Sequence, residues 1–288
     1  MAVYERTYKR YEGPITSQTW RFLVFPRYVF QQVFKSKLLV FYYAFCFIVP
    51  LLSSVVIYMI NNLQLLENLA FLQQGLQGAT INAPIVLWFM TTQGFFALFL
   101  SIFIGPGLVS RDLANNGLAL YLCRPISRAE FVLGKASVLF ILISSITWVP
   151  GLMLYFLQGI MDDGSWMMDN LRLAVAIVVG EMLWAMFLSL LALALSAWVK
   201  WRMMAAFAMF LVFPLSFMVR GLWTLLFEND LGAVLSPIEQ ITMIWTAMLG
   251  IDIEIGAPLP VAWIGLALLS GFCLLLLHLK IRAYEVVS

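Results

Sequence analysis

The sequence predicts an all-α integral membrane protein with six transmembrane helices. Three observations predict it. The 288 residues are 63% hydrophobic and 11% charged, whereas soluble domains carry about 45–50% apolar and about 25% charged residues. The apolar residues are gathered into long runs, and a helix needs about 20 such residues to cross the hydrocarbon layer. Finally, Lys and Arg fall in alternate connections, as they do when alternate loops face the cytoplasm.

Residues 1–37 form a cytoplasmic tail ending in an amphipathic segment. Over 19–37, Trp20, Phe22, Phe25, Tyr28, Val29 and Val33 are interleaved with Arg21, Arg27 and Lys35. A basic amphipathic helix of this kind lies in the membrane interface, either as an anchor or as an elbow helix that helps form a docking surface. The first 37 residues are polar and basic and predict no cleavable leader, so the first span is expected to be the insertion signal.

Residues 38–288 hold the six-span domain, with spans expected at 38–60, 84–109, 137–158, 173–199, 203–227 and 259–279. Pro50, Pro150 and Pro214 fall inside spans, where neighbouring helices can satisfy the freed carbonyls. Two outer connections have helical character. Segment 62–77 carries Leu63, Leu66, Leu69 and Leu76 at spacings that suit an interfacial helix. In the segment 228–258, Ser236, Pro237 and Glu239 form a capping-box pattern before the apolar run 241–249, and Gly250 can end that helix. The helix is too short to span, so it is re-entrant or interfacial.

Fifteen of the 17 Lys and Arg residues fall in the N-terminal segment, the second-to-third and fourth-to-fifth connections and the tail. Arg172 stands at an outer span end and Arg220 inside a span. Glu67, Asp162, Asp163, Asp169, Glu228, Asp230, Glu239, Asp252 and Glu254 face outward. Both termini are therefore expected in the cytoplasm. Cys46 and Cys273 fall in spans and Cys123 in a cytoplasmic loop; their spacing matches no zinc pattern, and they read as small buried hydrophobes.

The second-to-third connection, 110–135, is the most informative. Gly105, Pro106 and Gly107 loosen the end of the second span, and Asp112 can cap the helical stretch that follows. Asn115-Asn116-Gly117 is a turn signal. Leu118, Leu120, Tyr121 and Leu122 make a short apolar segment that Pro125 stops. Ser127 and Glu130 frame a second capping box that starts the third span. A short apolar helix outside the membrane wants a covering partner.

The run Arg111-Asp112, Asn116-Gly117-Leu118, Arg124-Pro125-Ile126-Ser127-Arg128 and Leu133-Gly134-Lys135 resembles the permease subunits of ABC-2 type ABC transporters. In that family an acidic residue, a Gly-Thr-Leu and a Leu-Ser-Arg-Pro-Val-Ser-Arg segment join the second and third spans. Here Leu118-Ala119 replaces the commoner Thr-Leu, and Cys123 the commoner Ser. The resemblance implies a cytoplasmic coupling helix that docks on an ATPase, through Arg111, Asp112, Asn115, Asn116, Gly117, Leu118, Tyr121, Arg124, Pro125, Ser127 and Arg128. It also implies an elbow helix and an outer re-entrant hairpin. The partners it implies are two copies of an ABC ATPase, which would carry ATP and Mg, and a second permease copy or homologue. The lipid bilayer and an accessory protein on the outer face complete the set, and nucleic acid is absent from it. The location implied is the cytoplasmic membrane.

The chain itself has no phosphate-binding loop. The nearest approach, Leu133-Gly134-Lys135-Ala136, has Ala129 in place of the upstream Gly and lacks the Ser or Thr after Lys. The single histidine, His278, leaves little for metal or acid–base chemistry. No catalytic residue, metal ligand or cofactor of its own is therefore expected. One intramembrane pair is expected, between Glu181 and Arg220. Both lie roughly 12–14 Å below the outer boundary at 1.5 Å per residue, and charges at that depth face a partner or a cavity. Three other functions fit parts of the pattern. A subunit of the same complex that drives an outer partner without transport would have a dry permease interface. A secondary transporter would show internal repeats, and an intramembrane enzyme paired carboxylates at a membrane face.

Overall fold

The computed structural model describes residues 24–62, 81–114, 128–162, 165–199, 201–252 and 258–280. Among them every regular element is helical, and six helices are long and apolar enough to cross a membrane: Lys37–Asn61, Ala83–Ser110, Ala129–Met161, Leu171–Trp198, Arg202–Phe227 and Leu259–Lys280. The chain is a multi-pass membrane protein. Five of these spans match the expected limits to within a few residues. The third begins eight residues early, because its helix runs from Arg128 through Glu130 and Lys135 without a break. Those charges mark the end of an apolar run, but Lys135 is neutralised by an ion pair and so does not end the helix.

The first and third spans are each two helices in series. The first breaks at Phe47, between Lys37–Cys46 and Ile48–Asn61, and the third at Thr147, between Arg128–Ile146 and Trp148–Met161. A proline stands three residues after each break, Pro50 and Pro150. Proline lacks an N–H and its ring crowds the carbonyl four residues back, here those of Cys46 and Ile146. The Cys46 carbonyl is satisfied from the second span: Gln93, fully buried, donates its amide to it at 3.2 Å.

The fourth span, Leu171–Trp198, is the axis of the bundle and packs against the second, third, fifth and sixth spans and two short helices. It is buried over most of its length, whereas the first, fifth and sixth are largely exposed. Small residues such as Ala185, Ser189, Ala192 and Ala197 line it and let neighbours close in. One close approach is Trp184, whose indole N–H donates to the Gly94 carbonyl at 3.0 Å. The fifth span is buried along a single stripe, Ala205, Met209 and Phe213.

Three shorter elements complete the fold. Helix Val24–Val33 packs against the start of the third span. At the end opposite the basic connections, a 3-10 turn, Asp230–Leu235, leads into the helix Pro237–Leu249, which packs between the fourth and sixth spans. Its 13 residues are too few to cross a bilayer. It ends at Gly250, with φ of 76° in the left-handed region that glycine tolerates best. Arg172 caps this end, donating to the carbonyls of Met248 at 2.7 Å and Ala247 at 2.8 Å. At the start, the expected capping box does not form: the Ser236 side chain makes no capping bond, and Glu239 turns instead to Arg220. The expected helix within 62–77 lies outside the described residues, apart from Asn62.

Candidate functional site

The second-to-third connection leaves the bundle through helix Pro106–Ala114 and returns through the helix that starts at Arg128. The first turn of a helix has backbone N–H groups with no partner inside the helix. Here the fourth span supplies one. The Ser196 hydroxyl accepts from the amides of Val109 at 3.1 Å and Ser110 at 2.9 Å, and donates to the Pro106 carbonyl at 2.8 Å. All of this is buried, so the short helix is fixed to the axis of the bundle. Arg202, at the start of the fifth span, donates to the Phe103 carbonyl at 3.1 Å and ties the fifth span to the end of the second, just before the short helix.

The two limbs of the connection are joined to each other as well. Lys135 Nζ lies 2.8 Å from Asp112 Oδ2, with side chains 7% and 19% exposed. The Lys135 ammonium also sits 5.7 Å from the centre of the Phe131 ring, which is itself fully buried. Asp112 is therefore not at a helix start, where the expected capping role would put it. It lies inside Pro106–Ala114 and closes the base of the connection as half of an ion pair. A charge pair this poor in water is screened little by salt.

Of the residues expected in the docking surface, Asp112 is placed as above, and Arg111 and Arg128 lie on the two limbs. Asn115, Asn116, Gly117, Leu118, Tyr121, Arg124, Pro125 and Ser127 lie outside the described residues, as does the capping role of Ser127. Ser196 was not legible in the sequence. A serine in an apolar helix carries no signal of its own, and only its place opposite the Gly105-Pro106 break gives it work to do.

The expected Glu181–Arg220 pair does not form. Arg220 pairs with Glu239, in the first turn of the helix Pro237–Leu249. Glu181 is fully buried in the fourth span, and neither of its carboxylate oxygens has a hydrogen-bond partner. Counting residues along two helices gives matching depths but not the direction in which each side chain points. The fifth span turns Arg220 toward the 3-10 turn and short helix, while the fourth keeps Glu181 in its buried face beside Gly180, which packs beneath Trp245. Among the described residues no group of three or more His, Cys, Asp or Glu is placed to hold a metal ion.

No known family model matches this sequence, and no curated protein matches it.

Proposed function

We propose that this chain is the membrane-spanning permease subunit of an ATP-driven ABC transporter of the ABC-2 type. In this reading the connection 110–135 is the coupling segment on the cytoplasmic side. Two ATPase subunits carry ATP and Mg, and two permease copies or homologues meet in the membrane. ATP closes the ATPase pair, and the connection carries the motion into the spans to export a substrate. Helix Val24–Val33 serves as the elbow, and the 3-10 turn with helix Pro237–Leu249 as the outer re-entrant hairpin. Both termini then lie in the cytoplasm, as the distribution of Lys and Arg favours.

The observation that carries this reading is the anchoring of the connection that bears the Arg-Pro-Ile-Ser-Arg motif. A lever has to be stiff where it meets the load. Ser196 fastens one limb to the fourth span, and the Asp112–Lys135 pair fastens the limbs to each other. A push on the connection would thus reach the second, third and fourth spans together. A plain loop between two spans has no need of such buried fastenings.

The experiment is a pull-down of the tagged chain from its native membrane in mild detergent, with mass spectrometry of what accompanies it. A soluble ATPase should be recovered, and lost when Gly117 and Leu118 are replaced by bulky charged residues. A chain that purifies without an ATPase under the mildest conditions overturns the proposal.

A further inference from the structure

Beyond their breaks, the half-helices Ile48–Asn61 and Trp148–Met161 run side by side. At their far ends they are tied: Asn61 Nδ2 donates to Gln158 Oε1 at 3.0 Å. Between the tie and the bends, with the second span closing one side, lies a cavity of about 200 Å³. Its floor is buried and includes Phe89, Gly151 and Ile177. Gly151 lets this floor pack closely, since a Cβ there would lie 2.7 Å from Ile177 and 3.1 Å from Phe89. Leu52, Val56 and Trp88 also line it, and all three are exposed on the outer surface of the bundle.

We infer that this cavity binds one acyl chain of a bilayer phospholipid. Three features select that occupant. The first is polarity. The lining is almost wholly apolar; Ser53 and Tyr155 contribute its hydroxyls, and that of Tyr155 already donates to the Met167 carbonyl. An ordered water needs two to four polar partners, whereas apolar cavities of about 150 Å³ stay dry and take up hydrocarbon such as benzene. The second is shape. The lining runs along the first span from Val49 to Ile57, about 12 Å at 1.5 Å per residue, which is most of the roughly 15 Å depth of one hydrocarbon leaflet. The third is surroundings. The exposed lining residues lie within a span, so the medium outside them is lipid chain. At the end away from the bends stand Trp166 and Tyr155, ring centroids 5.4 Å apart, of the residue types that sit at the headgroup level. A chain lying along the cavity would have its headgroup there and its methyl end near Phe89. This inference does not depend on the transporter reading.

The test uses the full chain in detergent-free nanodiscs of phosphatidylcholine with a photoactivatable diazirine on one acyl chain, and maps the adducts by mass spectrometry. Buried Phe89 and Val86 should be labelled as strongly as exposed residues of the fifth span such as Phe207. Moving the diazirine from the headgroup end to the methyl end should move the adducts from Ile81 and Trp166 to Phe89. Ser53→Phe with Val56→Phe, which fills the cavity from its exposed side, should reduce labelling of Phe89 at least fivefold and leave Phe207 unchanged. Labelling confined to exposed positions, or a depth profile in the wild-type chain that does not move with the probe, overturns the inference. The wild-type profile decides even if the filled variant does not fold.

Discussion

Gln93 of the second span donates its side-chain amide to the carbonyl of Cys46 in the first, the carbonyl that Pro50 leaves without a helical partner. The bend in the first span is thus stabilised from outside that span. This makes a prediction in which the same substitution has different effects in two backgrounds. Gln93→Leu leaves a buried carbonyl unpaired and should destabilise the protein by about 1 kcal/mol, within the range measured for hydrogen bonds between membrane helices. In a Pro50→Ala background the helix can supply its own N–H, and Gln93→Leu should cost much less. Denaturation of the four proteins in mixed micelles gives the coupling energy. Additive effects would show that Gln93 is not the partner that matters.

Ser196 satisfies two amides and one carbonyl of the helix Pro106–Ala114. Ser196→Ala removes all three bonds while changing the volume by one oxygen. By analogy with the loss of a helix cap it should cost about 1 kcal/mol. Hydrogen exchange should rise at Val109 and Ser110 and stay unchanged at the outer end of the fourth span. An equal rise along the whole fourth span would mean that the substitution loosens the bundle rather than the attachment.

The spans were legible in the sequence because the physics that makes them is local. A run of apolar residues long enough to cross hydrocarbon is stable there whatever its neighbours do, and Lys and Arg mark its ends. The partners of polar groups were not legible. Glu239 carries the spacing of a capping residue, and Glu181 and Arg220 lie at matching depth, yet Arg220 takes Glu239. That choice depends on how each helix is rotated about its axis, which a depth count leaves undetermined. The same holds for Ser196, whose sequence context is a row of alanines and leucines. The start of the third span was misplaced for a related reason. Lys135 ends an apolar run only as long as its partner Asp112, on another helix, is unknown.

Arg172 and Gly250 meet at the end of the helix Pro237–Leu249. Gly250 takes a left-handed φ of 76°, and a Cβ there would run into the Arg172 guanidinium. Gly250→Ala should cost about 1–2 kcal/mol from backbone strain alone, plus the displacement of Arg172. Arg172→Ala should lose up to about 2 kcal/mol of its interaction with the last carbonyls. The double variant should be less destabilised than the sum, because Arg172 is no longer there to be displaced. Thermal unfolding of the three variants in the same detergent measures this, and strict additivity would rule out the shared contact.

The ion pair between Lys135 and Asp112 separates stability from coupling. Removing one member leaves the other charge poorly solvated, which costs on the order of 3 kcal/mol when burial is deep. Lys135→Met should therefore destabilise the protein more than Asp112→Asn, since the amide of Asn can still accept a hydrogen bond from the ammonium. Exchanging the residues, Asp112→Lys with Lys135→Asp, should recover part of the lost stability, because the charges still meet. Recovery of ATPase binding under the proposed function is a separate matter. If the pair serves only to close the base of the connection, the exchanged protein should bind the ATPase as well as its recovered stability allows. If Asp112 also touches the ATPase, the exchanged protein should be stable and yet fail in the pull-down. Measuring melting temperature and ATPase recovery on the same preparations distinguishes a fastening from a contact residue. The low side-chain exposure, 19% for Asp112 and 7% for Lys135, favours the fastening.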